Sequence, residues 1–258
     1  TSLASVAARK PASGKSPPVR PPPVHPLTDP DMITHAAVLG AGSWGTALSI
    51  ALADRGLEVT LFGNEPAIRD EINERHANSH YLPEITLPSC IRATTDLAEV
   101  ISAPLLLLVV PSQVARLVLA QLQKIGLAST TILVTCTKGI DPESGKLMHE
   151  LLEEFFPENP VAVLSGPSHA EEVARRIPTL VTAGSVDPHI ATQVQSIFTL
   201  PWFRTYTSTD VVGIELGGVV KNVFAIAAGA IDGLGLGDNA KAAMVTRGLA
   251  EMTRLGVA

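Results

Sequence analysis

The stretch VLGAGSWGTAL, residues 38–48, decides the fold of this chain of 258 residues. An apolar run before it predicts a strand and a helical pattern follows it, which is the context that a dinucleotide-binding GxGxxG loop requires. Gly40 would permit the tight turn, Gly42 the close approach of the backbone to a pyrophosphate, and Gly45 the packing of the helix on the strand. The first amides of the helix would face the phosphates. The alternative is a glycine turn that serves packing alone.

Strand and helix patterns alternate over most of the chain. The predicted strands cover residues 36–39, 58–62, 105–110, 131–135, 161–164, 179–182 and 203–207. The predicted helices cover residues 44–55, 66–76, 113–123, 146–156, 169–175 and 188–198. Several of the strands are too uniformly apolar for a sheet with one face in water. The alternation therefore predicts an α/β fold, a doubly wound and mostly parallel sheet of the Rossmann type, covered on both faces.

The chain divides into three predicted parts. Residues 1–31 are rich in Pro, Ser, Ala and basic residues, so we expect a disordered extension there, with an organelle transit peptide as the alternative. A dinucleotide-binding Rossmann domain is predicted over residues 32–208. Residues 209–258 are helical in pattern and rich in Ala, Gly and Val. We expect them to be the start of an all-helical, substrate-binding second domain that is incomplete at its C-terminus.

The composition of the chain narrows its function class. With 17% charged residues and a net charge of −6, it lacks the basic surplus of nucleic-acid-binding proteins, so we expect no nucleic-acid partner. Cys90 and Cys136 lack CxxC spacing, which favours neither a disulfide framework nor a metal site. Such cysteine usage is typical of a reducing compartment. We expect the cytoplasm, or an organelle if the N-terminal segment is a transit peptide.

Residues 211–231 form an apolar run that is long enough to span a membrane. Glu215 and Lys221 lie within this run. Ionisable residues near the centre of a span each cost about 2.5–3.5 kcal/mol on insertion. We therefore expect a buried helix of a globular domain and no membrane insertion.

In a dinucleotide-binding fold, the residues after the second strand contact the adenosine ribose of the nicotinamide cofactor. The sequence there reads Phe62-Gly63-Asn64-Glu65, with no Asp at the strand tip and no Arg immediately available for a 2′-phosphate. Asn64 can hydrogen-bond either form of the ribose. Glu65 can accept from a 2′-hydroxyl or lie solvated at the start of the next helix. These residues leave the choice between NAD and NADP open.

Two loops at predicted strand ends carry polar groups that suit an anionic substrate. Lys138 lies in TCTKG, residues 135–139, while Gly166 and Ser168 lie in SGPSH, residues 165–169. Ligands of open α/β sheets bind at the carboxyl ends of strands, so a cation with amide or hydroxyl donors there predicts a substrate that carries phosphate or carboxylate. The alternatives are a solvated loop lysine and a turn that precedes a helix.

Lys221 follows the apolar segment LGGVV and precedes Asn222 and the apolar segment VFAI. No acidic residue lies nearer to it in sequence than Glu215. An ammonium is costly to desolvate in such surroundings, so a lysine there can exchange protons near neutral pH. Removing hydride from an alcohol leaves a proton that a nicotinamide cofactor cannot take, which gives this residue a candidate role. The alternative is a helix lysine that lays its stem on apolar surface and extends its ammonium to solvent.

Five segments together resemble the NAD(P)-dependent glycerol-3-phosphate dehydrogenase family. They are VLGAGSWGTAL, TKGI, SGPSHAEEV, ELGGVVKNV and DNAKAAMVTRGLAEM. The resemblance extends from about residue 36 to residue 257. It implies the reversible conversion of sn-glycerol 3-phosphate, a small phosphorylated substrate, to dihydroxyacetone phosphate with NAD or NADP. It also implies a supply of glycerol phosphate for phospholipid synthesis, and a homodimer is the usual expectation for the class.

The resemblance also implies roles for individual residues. Lys221 would accept the proton of the C2 hydroxyl, and Asn222 would help to hold the substrate. The other positions that match substrate contacts in the family are Lys138, Gly166 and Ser168. The positions that match cofactor contacts are Ser43, Trp44, Lys138 and Ala170. Many relatives carry Arg or His where this chain has Asn64, which weakens any preference for NADP. A related hydroxyacid dehydrogenase and a non-catalytic NAD(P)-sensing protein are the alternatives.

Overall fold

The fold is built on an eight-stranded sheet. The computed structural model describes residues 33–167 and 169–256. Its strands are β1 (His35–Leu39), β2 (Glu58–Phe62), β3 (Ala77–Asn78), β4 (Leu82–Thr86), β5 (Ile91–Thr94), β6 (Leu105–Leu108), β7 (Ile132–Thr135), β8 (Val161–Ser165), β9 (Thr179–Gly184) and β10 (Phe203–Ser208). The large sheet has the order β10-β9-β8-β7-β6-β1-β2-β5, and β3 and β4 form a separate antiparallel pair. The predicted α/β fold with a mostly parallel sheet is confirmed.

Strand direction changes once within the large sheet. β8 and β9 pair antiparallel, whereas every other neighbouring pair is parallel. Six strands, from β8 across to β5, therefore run the same way and end at one edge. β1 lies between β6 and β2, and it is the point from which the chain winds outward in both directions. Open sheets bind ligands at the carboxyl ends of the strands beside such a point.

Eight helices surround the sheet or follow it in the described part of the chain. They are α1 (Ser43–Asp54), α2 (Pro66–Arg75), α3 (Ser112–Ile125), α4 (Met148–Phe155), α5 (Ala170–Ala174), α6 (Pro188–Phe198), α7 (Val211–Gly233) and α8 (Gly237–Gly256), with a single 3-10 turn at Leu97–Glu99. Local chemistry sets several of their limits. Pro66 and Pro188 occupy first-turn positions, where a missing N–H costs nothing. Asp210 begins α7, because its carboxylate accepts the amide of Gly213 at 2.9 Å.

The core consists of two apolar clusters, one on each face of the sheet. Alternate residues of β1 show the division, since Val38 belongs to one cluster and Leu39 to the other. Buried residues of α1, α5 and α6 complete the first cluster, and those of α3 and α4 complete the second. The strands are buried on both faces, which explains why their sequences are uniformly apolar instead of alternating.

The predicted strands and helices between residues 36 and 207 are all present, with limits that shift by up to two residues. The hairpin β3–β4 and the edge strand β5 were not predicted. β5 is only four residues long, and β4 contains Pro83, so neither gives a strong apolar pattern. The reversal at β9 was also not visible in the sequence, because strand patterns carry no direction.

The prediction of a buried helix at residues 211–231 is wrong for the described structure. In α7 only Val211 and Glu215 are buried, and in α8 only Gly248 is buried. The two helices pack mainly on each other, so the apolar side chains on their outer faces are exposed. By length and composition alone, α7 is the one helix in the described part of the chain that could cross a membrane, and a single helix of this kind is weak evidence for a span.

Neither of the two predicted domain limits has a direct structural test. Residues 1–31, predicted as a disordered extension, lie outside the described residues. The last strand ends at Ser208 and α7 begins at Val211, so the limit predicted between residues 208 and 209 falls in the short connection between them. That limit stays a prediction.

Candidate functional site

The loop between β1 and α1 needs glycine at two positions for purely structural reasons. Gly40 has a φ of 124°, and a Cβ there would lie 2.8 Å from the carbonyl oxygen of Val109. A Cβ on Gly45 would lie 1.8 Å from the carbonyl oxygen of Gly40. Both contacts are with backbone atoms, which cannot turn aside as a flexible side chain can. A larger residue at either position would therefore displace the loop or the helix. Packing explains these two glycines, but it does not explain the third.

Gly42 has a different environment. A Cβ there would meet no atom within 4 Å, because the residue faces open space at the N-terminus of α1. Gly42 is the N-cap, it provides no capping side chain, and the first turn of α1 contains no acidic residue. Helix amides without a side-chain partner attract an anion, and a bare backbone lets a pyrophosphate approach closely. This loop fits the pyrophosphate of a dinucleotide.

A cavity of about 730 Å³ opens at this edge of the sheet. Its volume lies in the range of small-molecule and cofactor sites. All eight residues predicted to contact the cofactor line it. They are Gly40, Gly42, Ser43, Trp44, Gly45, Asn64, Lys138 and Ala170. The structure therefore brings together side chains that are spread over more than half of the chain, although their contacts with a cofactor stay predictions.

The tip of β2 contributes charged groups to the cavity. Glu65 accepts a hydrogen bond from the hydroxyl of Tyr81 at 3.0 Å, and this bond raises the pKa of Tyr81. Arg69, one turn into α2, also lines the cavity. The sequence interpretation that no arginine is immediately available here is incomplete, because Arg69 is five residues beyond Asn64 in sequence and the helix returns it to the same wall. Helical spacing from Pro66 is the signal that could have found it.

Lys138 lies where the cavity meets the β8 loop. Its Nζ donates to the carbonyl oxygen of Gly166 at 3.4 Å. Burial lowers the pKa of Lys138, and the charge of Lys221 lowers it further. The preceding residue, Thr137, fixes the loop by donating its hydroxyl to the carbonyl oxygen of Val110 at 2.7 Å. The structure thus brings together Lys138 and Gly166, as the sequence predicts.

Helix α7 brings Lys221 towards this loop. One turn before Lys221, a Cβ on Gly218 would lie 2.9 Å from Ser165 Oγ and 3.8 Å from Lys138 Cγ. The helix can approach so closely only because Gly218 has no side chain. Two lysine charges, Lys138 and Lys221, are consequently near enough to repel each other. A site with two cations and hydroxyl or backbone donors is suited to a phosphate.

The surroundings of Lys221 differ from those that the sequence indicated. Lys221 is only partly buried, and Asn222 is exposed. The apolar neighbours in sequence lie on other faces of α7, so they do not enclose the ammonium. Within the described residues, Lys221 and Asn222 lie outside the lining of the cavity, and Ser168 is not described. Of the predicted substrate residues, Lys138 therefore lines the cavity and bonds the carbonyl oxygen of Gly166, and Lys221 lies near Lys138. Ser168 lies outside the described residues, and the substrate contacts of all these residues stay predictions.

One buried ionic contact was missed entirely by the sequence analysis. The side chains of His149 on α4 and Glu215 on α7 pair through Nδ1 and Oε2, and they are 10% and 4% exposed. The amide of His149 also donates to Glu215 Oε1 at 3.2 Å. Burial opposes the charge on His149, but the hydrogen bond to Glu215 and the charges of Glu215, Glu153 and Glu150 outweigh it, so its pKa is raised. The pair links α7 to α4, one of the helices that cover the sheet.

No metal site is evident in residues 33–167 and 169–256, because no three His, Cys, Asp or Glu side chains there come together as ligands. Cys136 lines the cavity, but it is buried, and burial raises the pKa of its thiol. A thiol of this kind is a poor nucleophile.

Two family models match this chain over most of its length. NAD-dependent glycerol-3-phosphate dehydrogenase N-terminus matches residues 35–191, and NAD-dependent glycerol-3-phosphate dehydrogenase C-terminus matches residues 210–258. The chain belongs to the NAD-dependent glycerol-3-phosphate dehydrogenase family. The first matched region covers β1 to β9 and the start of α6, and the second covers α7 and α8.

Individual members of the dehydrogenase family show the same relationship. Glycerol-3-phosphate dehydrogenase [NAD(P)+] of Bacillus cytotoxicus is 50% identical over 228 residues, which cover 87% of this chain and 67% of that protein. A solved glycerol-3-phosphate dehydrogenase from Coxiella burnetii has a TM-score of 0.81 and 39% identity, over 86% of this chain and 68% of that one. The Plasmodium falciparum enzyme has a TM-score of 0.79 and 32% identity, over 84% and 64%. The resemblance and the fold class inferred from the sequence are confirmed.

Proposed function

We propose that this chain interconverts sn-glycerol 3-phosphate and dihydroxyacetone phosphate, with NAD or NADP as the hydride carrier. The observation that carries the proposal is the close approach of α7 to the Lys138 loop at Gly218. Lys221 follows Gly218 by one turn of α7, and Lys138 lines a cavity whose residues fit a dinucleotide, which supports the proposal. A redox cofactor site, a cation for the phosphate and a proton acceptor are the components that the reaction needs. Membership of the family supports the same assignment.

The proposed chemistry assigns the proton to Lys221. When bound, the nicotinamide supplies the hydride acceptor or donor. Neutral Lys221 accepts the proton of the C2 hydroxyl as the C2 hydrogen leaves with its electron pair, and the C2–O bond becomes a carbonyl. In the reverse direction the ammonium of Lys221 donates its proton to the ketone oxygen. The partial exposure of Lys221 gives the proton a route to solvent.

The proposed role of Lys138 is to bind the phosphate. Its Nζ is held at the β8 loop by the carbonyl oxygen of Gly166, and its loop is fixed through Thr137. A charge-assisted bond from Lys138, with donors from Gly166 and Ser168, would hold the phosphate end and orient C2 towards Lys221. Asn222, next to the base, would contact the substrate hydroxyls.

The wider setting is proposed from the family and from the composition. We propose a homodimer in the cytoplasm that supplies glycerol phosphate for phospholipid synthesis. The same reasoning proposes a dinucleotide-binding domain up to residue 208 and a substrate-binding helical domain from residue 209. Hydride transfer between a cofactor bound by the first domain and a substrate bound by the second requires that α7 keep its position beside the sheet.

The test is oxidation of NADH and of NADPH by the purified chain in the presence of dihydroxyacetone phosphate. We expect turnover in the unmodified chain and a loss of about 1000-fold or more in kcat for Lys221→Ala, since general-base catalysis contributes factors of about 100 to 10,000. Cofactor affinity should be unchanged, because Lys221 lies outside the cavity lining. Lys124→Ala is the matched control, since it removes an exposed lysine at the end of α3.

The outcomes separate the candidate functions. Cofactor binding without turnover in any variant would indicate a nucleotide-sensing protein and overturn the proposal. Turnover of a 3-hydroxy acid, with none of glycerol 3-phosphate, would indicate a related hydroxyacid dehydrogenase. Equal activity of the chain and Lys221→Ala would remove Lys221 from the mechanism.

A further inference from the structure

Arg69 is a cation that lines the cavity but belongs neither to the tip of β2 nor to the glycine loop before α1. It lies in the second turn of α2 and lines the cavity together with Asn64, Gly63 and Thr94. These are the residues at the carboxyl ends of β2 and β5, where the adenosine ribose of a dinucleotide rests against a Rossmann sheet. Arg69 therefore lies on the wall that faces the 2′ position of that ribose.

The present partners of Arg69 hold it weakly. Its Nη2 and Nε lie 2.6 Å and 2.8 Å from Asp70 Oδ1, and its Nη1 donates to Thr95 Oγ1 at 3.5 Å. The side chains of Arg69 and Asp70 are 37% and 52% exposed, and ion pairs this exposed contribute little to stability. A phosphate carries more charge than one carboxylate and matches the planar guanidinium in two bonds. It would therefore compete well for Arg69.

The negative charge at the tip of β2 belongs to Glu65, which is hydrogen-bonded to another residue. Glu65 would repel a 2′-phosphate if its carboxylate faced the ribose, and it would favour a 2′-hydroxyl. Its Oε1 instead accepts the hydroxyl of Tyr81 at 3.0 Å. Asn64 donates through its amide to either form of the ribose and does not discriminate. Of the described side chains at the ends of β2 and β5 and on α2 that line the cavity, Arg69 is the cation, so it is the one that attracts a 2′-phosphate.

We propose that Arg69 is the residue by which this chain distinguishes NADP from NAD, through a charge-assisted contact with the 2′-phosphate. The inference rests on the proposed function, because it assumes that the cavity binds a nicotinamide dinucleotide. It also accounts for the absence of Arg or His at position 64: the cation comes from the next helical turn of α2 instead of from the strand tip. The chain thus accepts NADP as well as NAD.

The experiment is equilibrium titration of NADPH and of NADH, without substrate, into the unmodified chain, Arg69→Gln and Arg75→Gln. Arg75→Gln is the matched control, because this variant removes the same charge from the last turn of the same helix. Arg75 does not line the cavity. We expect Arg69→Gln to raise the Kd for NADPH about tenfold or more and to leave the Kd for NADH within about twofold. Arg75→Gln should leave both unchanged.

A second measurement isolates the phosphate contact from the nicotinamide. Adenosine 2′,5′-bisphosphate and adenosine 5′-monophosphate differ only in the 2′-phosphate, and each competes with NADH for the adenosine end of the site. Arg69→Gln should weaken competition by the bisphosphate and leave the monophosphate unchanged. Thermal unfolding of each variant confirms that it is folded.

Several results would overturn the inference. Equal weakening of NADPH and NADH would mean that Arg69 contacts a part common to both cofactors. Unchanged binding of NADPH would remove Arg69 from recognition, and an equal effect of Arg75→Gln would reduce its role to general electrostatics. Failure of the unmodified chain to bind either dinucleotide would count against the proposed function itself, which the unmodified chain tests separately.

Discussion

The sheet with its covering helices, residues 35–208, and the helical pair α7 and α8 differ sharply in how they bury apolar residues. In the sheet region β6 is four leucines, all fully buried. In the helical pair Ile226 is 75% exposed, and large apolar side chains on both helices face outward. The cofactor cavity is thus built by a region whose core is complete within the described residues. The proposed proton acceptor lies on a helix that this region holds by few contacts.

The contacts that join the two regions lie within the first two turns of α7. Glu215 pairs with His149. Ile214 lies against Gly184, because a Cβ on Gly184 would lie 2.5 Å from Ile214 Cδ1. Gly218 lies against Ser165. The difference teaches that cofactor binding and proton transfer should respond to different mutations. The first depends on packing within the sheet region, and the second on how α7 is held.

The largest effect is expected at Gly45, which would show how strongly the sheet region determines stability. In Gly45→Ala the new methyl group would clash with the carbonyl oxygen of Gly40. Relieving the clash would require the backbone of the loop between β1 and α1 to move. We expect a loss of about 4 kcal/mol or more in the free energy of unfolding. Thermal unfolding measures it, with Gly42→Ala as the control, which should lose under about 0.5 kcal/mol but bind nucleotide weakly. Similar unfolding midpoints for the two variants would contradict this assignment.

A pair of core and surface truncations tests the comparison itself. Leu48→Ala removes a fully buried side chain of α1 and should cost about 3 kcal/mol. Ile226→Ala removes an exposed side chain of α7 and should change stability by under about 0.5 kcal/mol. Denaturant unfolding of both variants at two protein concentrations measures the difference. A large cost for Ile226→Ala would break the comparison, because it would mean that a second copy or another segment covers the outer face of α7 in solution.

The smallest effect is expected at the junction between the regions, and it depends on pH. The pKa of His149 is raised by its acidic neighbours in the fold, so its protonated form contributes stability that is fully present below its usual value of 6.5. That contribution is lost as pH rises through the raised value. His149→Gln should cost about 2 kcal/mol near pH 6 and less at high pH.

Thermal unfolding of His149→Gln between acidic and alkaline pH measures this dependence. The control is His189→Gln, which removes an exposed histidine from the first turn of α6. The control should keep the pH profile of the unmodified chain, whereas His149→Gln should flatten it. If both variants kept the same profile, the pair with Glu215 would not be what fastens α7.

Prediction from the sequence succeeded where a local pattern is repeated by the tertiary structure. The GxGxxG loop was placed between a strand and a helix because three glycines and two periodicities agree within eleven residues. Prediction failed for β5, whose four residues are a strand only because β2 offers a free edge. It also failed for α7, where an apolar sequence indicated burial, although nothing in the sequence states which faces of a helix find partners.

The sequence by itself determined the class of the fold, the cofactor loop and the family. These depend on short-range backbone constraints, such as a φ of 124° at Gly40, and on the spacing of apolar residues. Only the tertiary structure decided that Arg69 joins the cavity, that His149 meets Glu215, and that Lys221 approaches Lys138. Each of these contacts joins groups through the winding of the chain around β1 or through the packing of α7. Such contacts depend on three-dimensional distance, which residue spacing along the chain does not specify.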